Sequence, residues 1–106
     1  MNRLRFHVTS LPHTKVSKEY CACAYTSKIL NFCRMMRSLG HHVTLYGPEG
    51  SVADCDEFVE VISTAEQRQY FGDYDWHRQM FNIEWSSDLP YWKICNLRTA
   101  AAITTR

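Results

Sequence analysis

The segment SLGHHVTLYGPEG, residues 38–50, constrains the fold more than any other part of this chain. Gly40 follows a helical pattern, and glycine is the residue that most often ends a helix in the left-handed conformation. Val43 and Leu45 then alternate with polar residues as in a buried strand, which ends at Gly47. A helix that passes directly into a short buried strand is typical of α/β folds.

The rest of the chain predicts the same alternation of elements. The predicted strands span residues 4–9, 42–46 and 58–62, and the predicted helices span residues 21–39, 63–70 and 91–104, with a further short helix around 75–81. Because helical patterns separate short strands, we expect a parallel sheet with right-handed crossovers. The predicted fold class is therefore α/β and Rossmann-like, a short parallel sheet with flanking helices in one domain over residues 1–106.

Periodicity also predicts which side chains are buried. The first helix should bury one stripe, formed by Ile29, Phe32, Cys33, Met36 and Leu39. The last helix should bury Ile94, Leu97 and Ala101. Ser63 or Thr64 is expected to cap the middle helix in a capping box with Glu66 or Gln67. Residues 13–20 contain few apolar side chains, so we expect a polar loop outside the core.

Composition excludes several classes of protein. The chain is 45% hydrophobic and 22% charged with a formal charge of +1, so charge does not favour nucleic acid as a partner. It has no apolar run long enough for a transmembrane segment, and its first residues lack the apolar core of a signal peptide. Five cysteines, an odd number at irregular spacing, indicate reduced thiols and a cytoplasmic protein. The four glycines form neither G-x-G-x-x-G nor a P-loop, which argues against a dinucleotide dehydrogenase or a P-loop enzyme.

The stretch KILNFCRMMRSLGHHVTLYGPEG, residues 28–50, resembles the opening of glycosyltransferases with two Rossmann-like domains, the GT-B architecture. In that family the first helix often ends in Leu-Gly-His, and the second strand closes on a pair such as Tyr-Gly. The first strand with SLPHT after it fits the same pattern, although the family's frequent glycines after that strand are absent. The resemblance implies the N-terminal, acceptor-side part of such an enzyme. A nucleotide-sugar donor and an acceptor hydroxyl would be its substrates, with the donor held mainly by a second domain that this sequence lacks. Transfer by this chain alone is not expected.

Ligands of open α/β sheets bind at the carboxyl ends of the strands, which here are followed by residues 10–20 and 47–50. The residues expected to bind substrate there are Pro12, His13, Thr14, Lys15, Tyr25, Thr26, Lys28, Gly47 and Glu49. His13 is the candidate catalytic base, since histidine titrates near neutral pH. The alternative interpretation is a solvated surface loop with an ordinary histidine.

No cofactor and no metal site are expected. Cys21 and Cys23 form one Cys-x-Cys pair, and a zinc site needs a second pair of ligands. The aromatic tract over residues 70–92 favours packing over stacking on a sugar. Two further functional interpretations stay open: a stand-alone, non-catalytic α/β module that binds a ligand or partner, and a regulatory protein that docks on a larger enzyme through the aromatic tract.

Overall fold

The computed structural model describes residues 3–20, 24–72 and 89–106. Its strands are β1 (Arg5–Thr9), β2 (His42–Pro48) and β3 (Glu57–Ile62), and its helices are α1 (Ala24–Ser38), α2 (Thr64–Phe71) and α3 (Pro90–Ile103), with a short 3-10 turn at Lys18–Tyr20. Each of these strands and α-helices was predicted from the sequence, with bounds that differ by a few residues. The further helix expected around 75–81 lies outside the described residues.

The three strands form one parallel sheet in the order β1-β2-β3. Phe6 lies beside Val43 in the first pair, and Leu45 lies beside Phe58 in the second. The prediction of an α/β fold with a parallel sheet and flanking helices is confirmed. Because all three strands point the same way, the segments that follow them emerge at one edge of the sheet.

Helices cover both faces of the sheet, and the side chains that alternate along β2 pack against them. Val43 and Leu45 face α1 and form a buried cluster with Cys33 and Val16. On the opposite face, a second buried cluster joins β2 and β3 to α3, with Tyr46, Val61, Ile62 and Cys95 as its members. The core is therefore divided into two layers by the sheet.

Two of the predicted helix stripes were partly wrong. In α1, Cys33 is fully buried, but Phe32 is 36% exposed and Leu39 is 51% exposed. A sheet of three strands covers only a narrow part of the helix, and Phe32 lies at its margin against Phe6, with ring centroids 5.3 Å apart. In α3, Leu97 is 71% exposed because it lies on the opposite side of the helix from buried Cys95.

The loop after β1 also departs from prediction, because most of it is buried. Val16 is 1% exposed and belongs to the core cluster beside α1. Its N–H donates to the Ser51 hydroxyl at 3.0 Å, and its carbonyl accepts from the Val52 N–H at 2.8 Å. Burial of this loop is possible because the neighbouring loop satisfies its backbone hydrogen bonds.

The helix ends follow the sequence signals. Gly40 has a φ of 87°, and the His41 N–H donates to the Met36 carbonyl at 3.0 Å, which ends α1 as expected. At the start of α2, Ser63 and Glu66 form the predicted capping box. In the ranges that the structure describes, no helix combines the length and the apolar character that crossing a membrane requires.

Four rings of the aromatic tract lie between the end of α2 and the start of α3. The rings of Phe71 and Tyr91 are 4.8 Å apart, Tyr70 and Tyr91 are 6.1 Å apart, and Trp92 is next to Tyr91 at 6.4 Å. All four side chains are partly buried. For these rings the structure supports the packing interpretation, while residues 73–88 lie outside the described ranges.

Candidate functional site

Lys15 joins the segments that follow the three strands at the carboxyl edge of the sheet: the loop after β1, the loop after β2 and helix α2. Its ammonium donates to the Glu49 carbonyl after β2, to the Thr64 hydroxyl at 2.9 Å and to Gln67 Oε1 at 3.1 Å, both of which follow β3. Partial burial lowers the pKa of Lys15 through desolvation, although Glu49 and Glu60 oppose the shift. Lys15 therefore holds two loops and the start of α2 together in one junction.

Gln67 of α2 adds two hydrogen bonds to this junction from its buried side. Its Nε2 donates to the Pro12 carbonyl at 3.0 Å and to the Thr14 carbonyl at 3.1 Å. Gln67 itself is 3% exposed, so these hydrogen bonds are shielded from water. The backbone around the predicted binding residues Pro12 and Thr14 is thus held inward, towards α2.

The candidate base His13 is buried within the same junction. It is 5% exposed, and its ring lies 6.3 Å from that of Phe71. Burial lowers the pKa of His13 to about 4, because desolvation disfavours the imidazolium form. At neutral pH the ring is uncharged and lies behind the surface of the loop, and its catalytic role stays a prediction.

The predicted binding residues of α1 point in different directions. Thr26 is buried, whereas Tyr25 is exposed and has the Lys28 ammonium 5.6 Å from its ring centroid. Lys28 therefore contacts the aromatic ring of its own helix.

The two predicted residues after β2 have structural contacts of their own. A Cβ on Gly47 would lie 2.8 Å from the Ser10 hydroxyl, so a larger residue here would have to displace that side chain. The side chain of Glu49 accepts from the Thr64 N–H at 3.0 Å, at the first turn of α2.

A cleft of about 790 Å³ opens beside this junction, between α1 and the loop that joins β2 to β3. Its lining residues are Lys15, Ser17, Lys18, Glu19, Ser27, Leu30, Asn31, Arg34, Gly50, Val52, Ala53 and Asp54. This volume falls in the range of small-molecule sites in proteins. Of the residues predicted to bind substrate, Lys15 is the one that lines this cleft.

Three segments shape the cleft. One wall is a single face of α1, because Ser27, Leu30, Asn31 and Arg34 recur at helical spacing. The other wall is the loop over residues 50–54, and the loop over residues 15–19 closes one end. The hydrogen bonds between Val16 and residues 51–52 hold the two loops together, so these two sides of the cleft keep a fixed relative position.

The charged groups of the cleft are not equally available. Asp54 accepts a hydrogen bond from Arg37, which lies outside the cleft, and Lys15 is bound to three oxygens. Arg34 donates to Asn31 Oδ1 at 3.0 Å, which uses one of the five N–H donors of its guanidinium. Lys18 is exposed at the end of the cleft. Lys18 and Arg34 are therefore the cations that a ligand meets.

Sequence reasoning missed most of these lining residues. Ser27, Asn31 and Arg34 do form a polar stripe at helical spacing, which is visible in the sequence. A polar stripe beside an apolar one is also the ordinary pattern of a solvated helix face. The sequence contains no signal for which polar stripe lies against the β2–β3 loop.

The described residues contain no group of three or more histidine, cysteine or acidic side chains that could hold a metal ion. Cys33 and Cys95 are buried free thiols, and Cys55 is a partly buried one. Burial raises the pKa of both Cys33 and Cys95 to about 11, so these thiols stay protonated at neutral pH. The Cys21 and Cys23 pair lies outside the described residues.

Comparisons with protein-family models, with curated proteins and with solved structures found no match to this chain. The resemblance to GT-B glycosyltransferases thus stays a prediction from the sequence of residues 28–50.

Proposed function

We propose that this chain is the acceptor-side half of a glycosyltransferase-like protein with the GT-B architecture. In this proposal the cleft beside α1 holds a polar acceptor, and a second domain presents the nucleotide-sugar donor. The complete protein would transfer the sugar to an acceptor hydroxyl, and this chain alone would bind without transfer.

The position of the cleft is the observation that carries the proposal. Its end at residues 15–19 and Gly50 lies at the carboxyl edge of the parallel sheet, where open α/β sheets bind ligands, and the rest runs between α1 and residues 52–54 towards the start of β3. The sequence stretch that resembles GT-B enzymes, residues 28–50, forms most of α1, which is one wall of the cleft, and β2, which leads into the loop that forms the other wall. The location of the cavity and the location of the resemblance therefore agree.

A second candidate function is a stand-alone module that binds a ligand and does no chemistry. The burial of His13 favours it, because inverting sugar transfer needs a base that reaches the acceptor hydroxyl. The low pKa of His13 points the same way, since a weakly basic imidazole is a poor proton acceptor at neutral pH. The two candidates share the binding site and differ in whether transfer ever occurs.

The test is calorimetric titration of the purified chain with a panel of nucleotide sugars and saccharides. Ser27→Trp places an indole in the cleft and should abolish binding, while Met35→Trp puts an indole on an exposed position of α1 outside the cleft and should not. Circular dichroism of both variants checks that the fold is retained. If a ligand binds equally well to Ser27→Trp, it occupies another site and the proposal is wrong.

A nucleotide-release assay separates the two candidates. The proposal predicts no release by this chain alone, and release by a longer chain that carries a second Rossmann-like domain. That activity should disappear when Ser27→Trp is introduced into the longer chain. Binding in the cleft with no release from any longer chain would instead support the non-catalytic module.

A further inference from the structure

We propose that the cleft between α1 and the β2–β3 loop binds a carbohydrate that carries a phosphate group, with Lys18 and Arg34 as the pair that holds the phosphate. This inference rests on the proposed function, because it names the substrate class of the same cleft.

The charged side chains of the cleft determine which sign of charge a ligand should carry. Five charged side chains line it: Lys15, Lys18, Glu19, Arg34 and Asp54. Asp54 is neutralised by Arg37 from outside, and the ammonium of Lys15 is surrounded by three protein oxygens. Lys18 and Arg34 have no carboxylate partner among the described residues, so these two cations favour an anion as the ligand.

The two cations lie on different segments of the cleft. Arg34 lies on the α1 wall, four residues after Leu30, and Lys18 lies in the loop that closes one end. The hydrogen bond to Asn31 orients the Arg34 side chain and leaves most of its N–H donors for another acceptor. Arginine binds phosphate through two parallel N–H donors, and lysine adds a mobile positive charge. Two cations in one cleft match a phosphate better than a neutral hydroxyl.

The rest of the lining suits a polyol. Ser27 and Asn31 offer hydroxyl and amide groups that can hydrogen-bond to sugar hydroxyls. Leu30, Val52 and Ala53 form an apolar patch against which the C–H face of a sugar ring can pack. An inorganic ion would contact neither the polar nor the apolar residues of this lining, so the lining as a whole favours a phosphorylated carbohydrate.

The test compares glucose 6-phosphate with glucose, titrated into the purified chain at one ionic strength and followed by calorimetry and backbone amide NMR shifts. The phosphate should strengthen binding about tenfold or more, the effect of one charge-assisted contact. The shifts should centre on residues 15–19, 27–34 and 50–54. Arg34→Gln and Lys18→Gln should each weaken binding of the phosphorylated sugar about tenfold and leave binding of glucose unchanged.

The matched control is Lys93→Gln, which removes an exposed cation from α3, outside the cleft, and should leave both affinities unchanged. Equal binding of glucose and glucose 6-phosphate in the cleft would overturn the inference and leave the proposed function standing. Inorganic phosphate that binds as tightly as glucose 6-phosphate would reduce the site to an anion site and overturn the carbohydrate part. If neither sugar nor any nucleotide sugar shifts the cleft residues, both the inference and the proposed function fail.

Discussion

Lys15 and Gln67 illustrate how a residue chosen for binding can also hold the fold together. Lys15 was predicted as a ligand-binding residue from its place after β1, and it does line the cleft. Its ammonium nevertheless donates to oxygens of two other segments, the Glu49 carbonyl after β2 and the Thr64 and Gln67 side chains of α2. Gln67 in turn holds the Pro12 and Thr14 carbonyls, so one buried amide joins α2 to the loop after β1.

Gln67→Leu should therefore destabilise the protein by about 2–3 kcal/mol, because it leaves two buried carbonyls without their donor. Gln69→Leu is the matched control, since the same change falls on an exposed position of α2 and should shift the free energy of unfolding by less than about 0.5 kcal/mol. Urea denaturation of both variants measures the difference. Equal losses in the two variants would mean that the amide of Gln67 does not stabilise the loop.

Among individual residues, the sequence predicted those at the edge of the sheet but few of those that line the cleft. His13, Thr14 and Lys15 were correctly placed after β1, but a loop sequence does not reveal which side chains turn inward. That choice depends on Gln67 and Ser51, which are distant in the chain and supply the hydrogen bonds that permit burial. Glu19 and Lys18 were passed over because exposed charged residues in a loop are common and carry no local signal.

Helices α2 and α3 meet at the carboxylate of Glu66. Glu66 accepts from the Ser63 N–H at 2.9 Å within the capping box, and Arg98 of α3 donates to both of its oxygens at 2.8 Å. Arg98 also donates to the Val61 carbonyl at 2.9 Å, at the end of β3. The hydrogen bonds from Arg98, followed by that from Ser63, lower the pKa of Glu66 to about 2. One carboxylate thus links the start of α2 to α3.

This linkage predicts an acid-sensitive contribution to stability. The pKa of Glu66 is lower in the folded state than its usual value of 4.5, so the ionised form favours folding. The contribution is complete above about pH 4.5 and is lost as the pH falls towards about 2. After allowance for partial solvent exposure of the pair, we expect about 1 kcal/mol.

Urea denaturation at about pH 6 and about pH 2.5 measures this contribution. The Glu66→Gln variant should be less stable than the unmodified chain at the higher pH and nearly equal to it at the lower pH. Glu60→Gln, at an exposed position of β3, should follow the unmodified chain at both. A constant difference between Glu66→Gln and the unmodified chain across this range would contradict the assignment.

The capping box could be predicted because its signal is local: Ser63 and Glu66 are three residues apart. Its partner Arg98 could not, since nothing in the sequence joins it to a residue 32 positions earlier. The same reason explains the errors in α1 and α3. Helical periodicity identifies a set of apolar positions, but the width and placement of the sheet decide which of them, such as Cys33 and not Leu39, are buried.

For the whole molecule, the account depends on the parallel order β1-β2-β3. This order brings the segments after the strands to one edge, where Lys15 joins them and the cleft opens. The parallel direction of β1 and β2 was predictable because a helix separates them and because Gly40 ends α1 just before β2. The order of the three strands in the sheet was not predicted. The cleft was not predictable, since it is formed by segments brought together only by the completed sheet.

Inter-strand NOEs between β1 and β2, measured by NMR on the isotope-labelled chain, test this order most directly. The account predicts contacts between Phe6 and Val43 and between Val8 and Leu45, the pairs of the parallel register. An antiparallel arrangement would instead bring Phe6 beside Leu45 and Val8 beside Val43. Those crossed contacts would move the loop after β1 to the other end of β2 and contradict both the cleft and the function proposed for it.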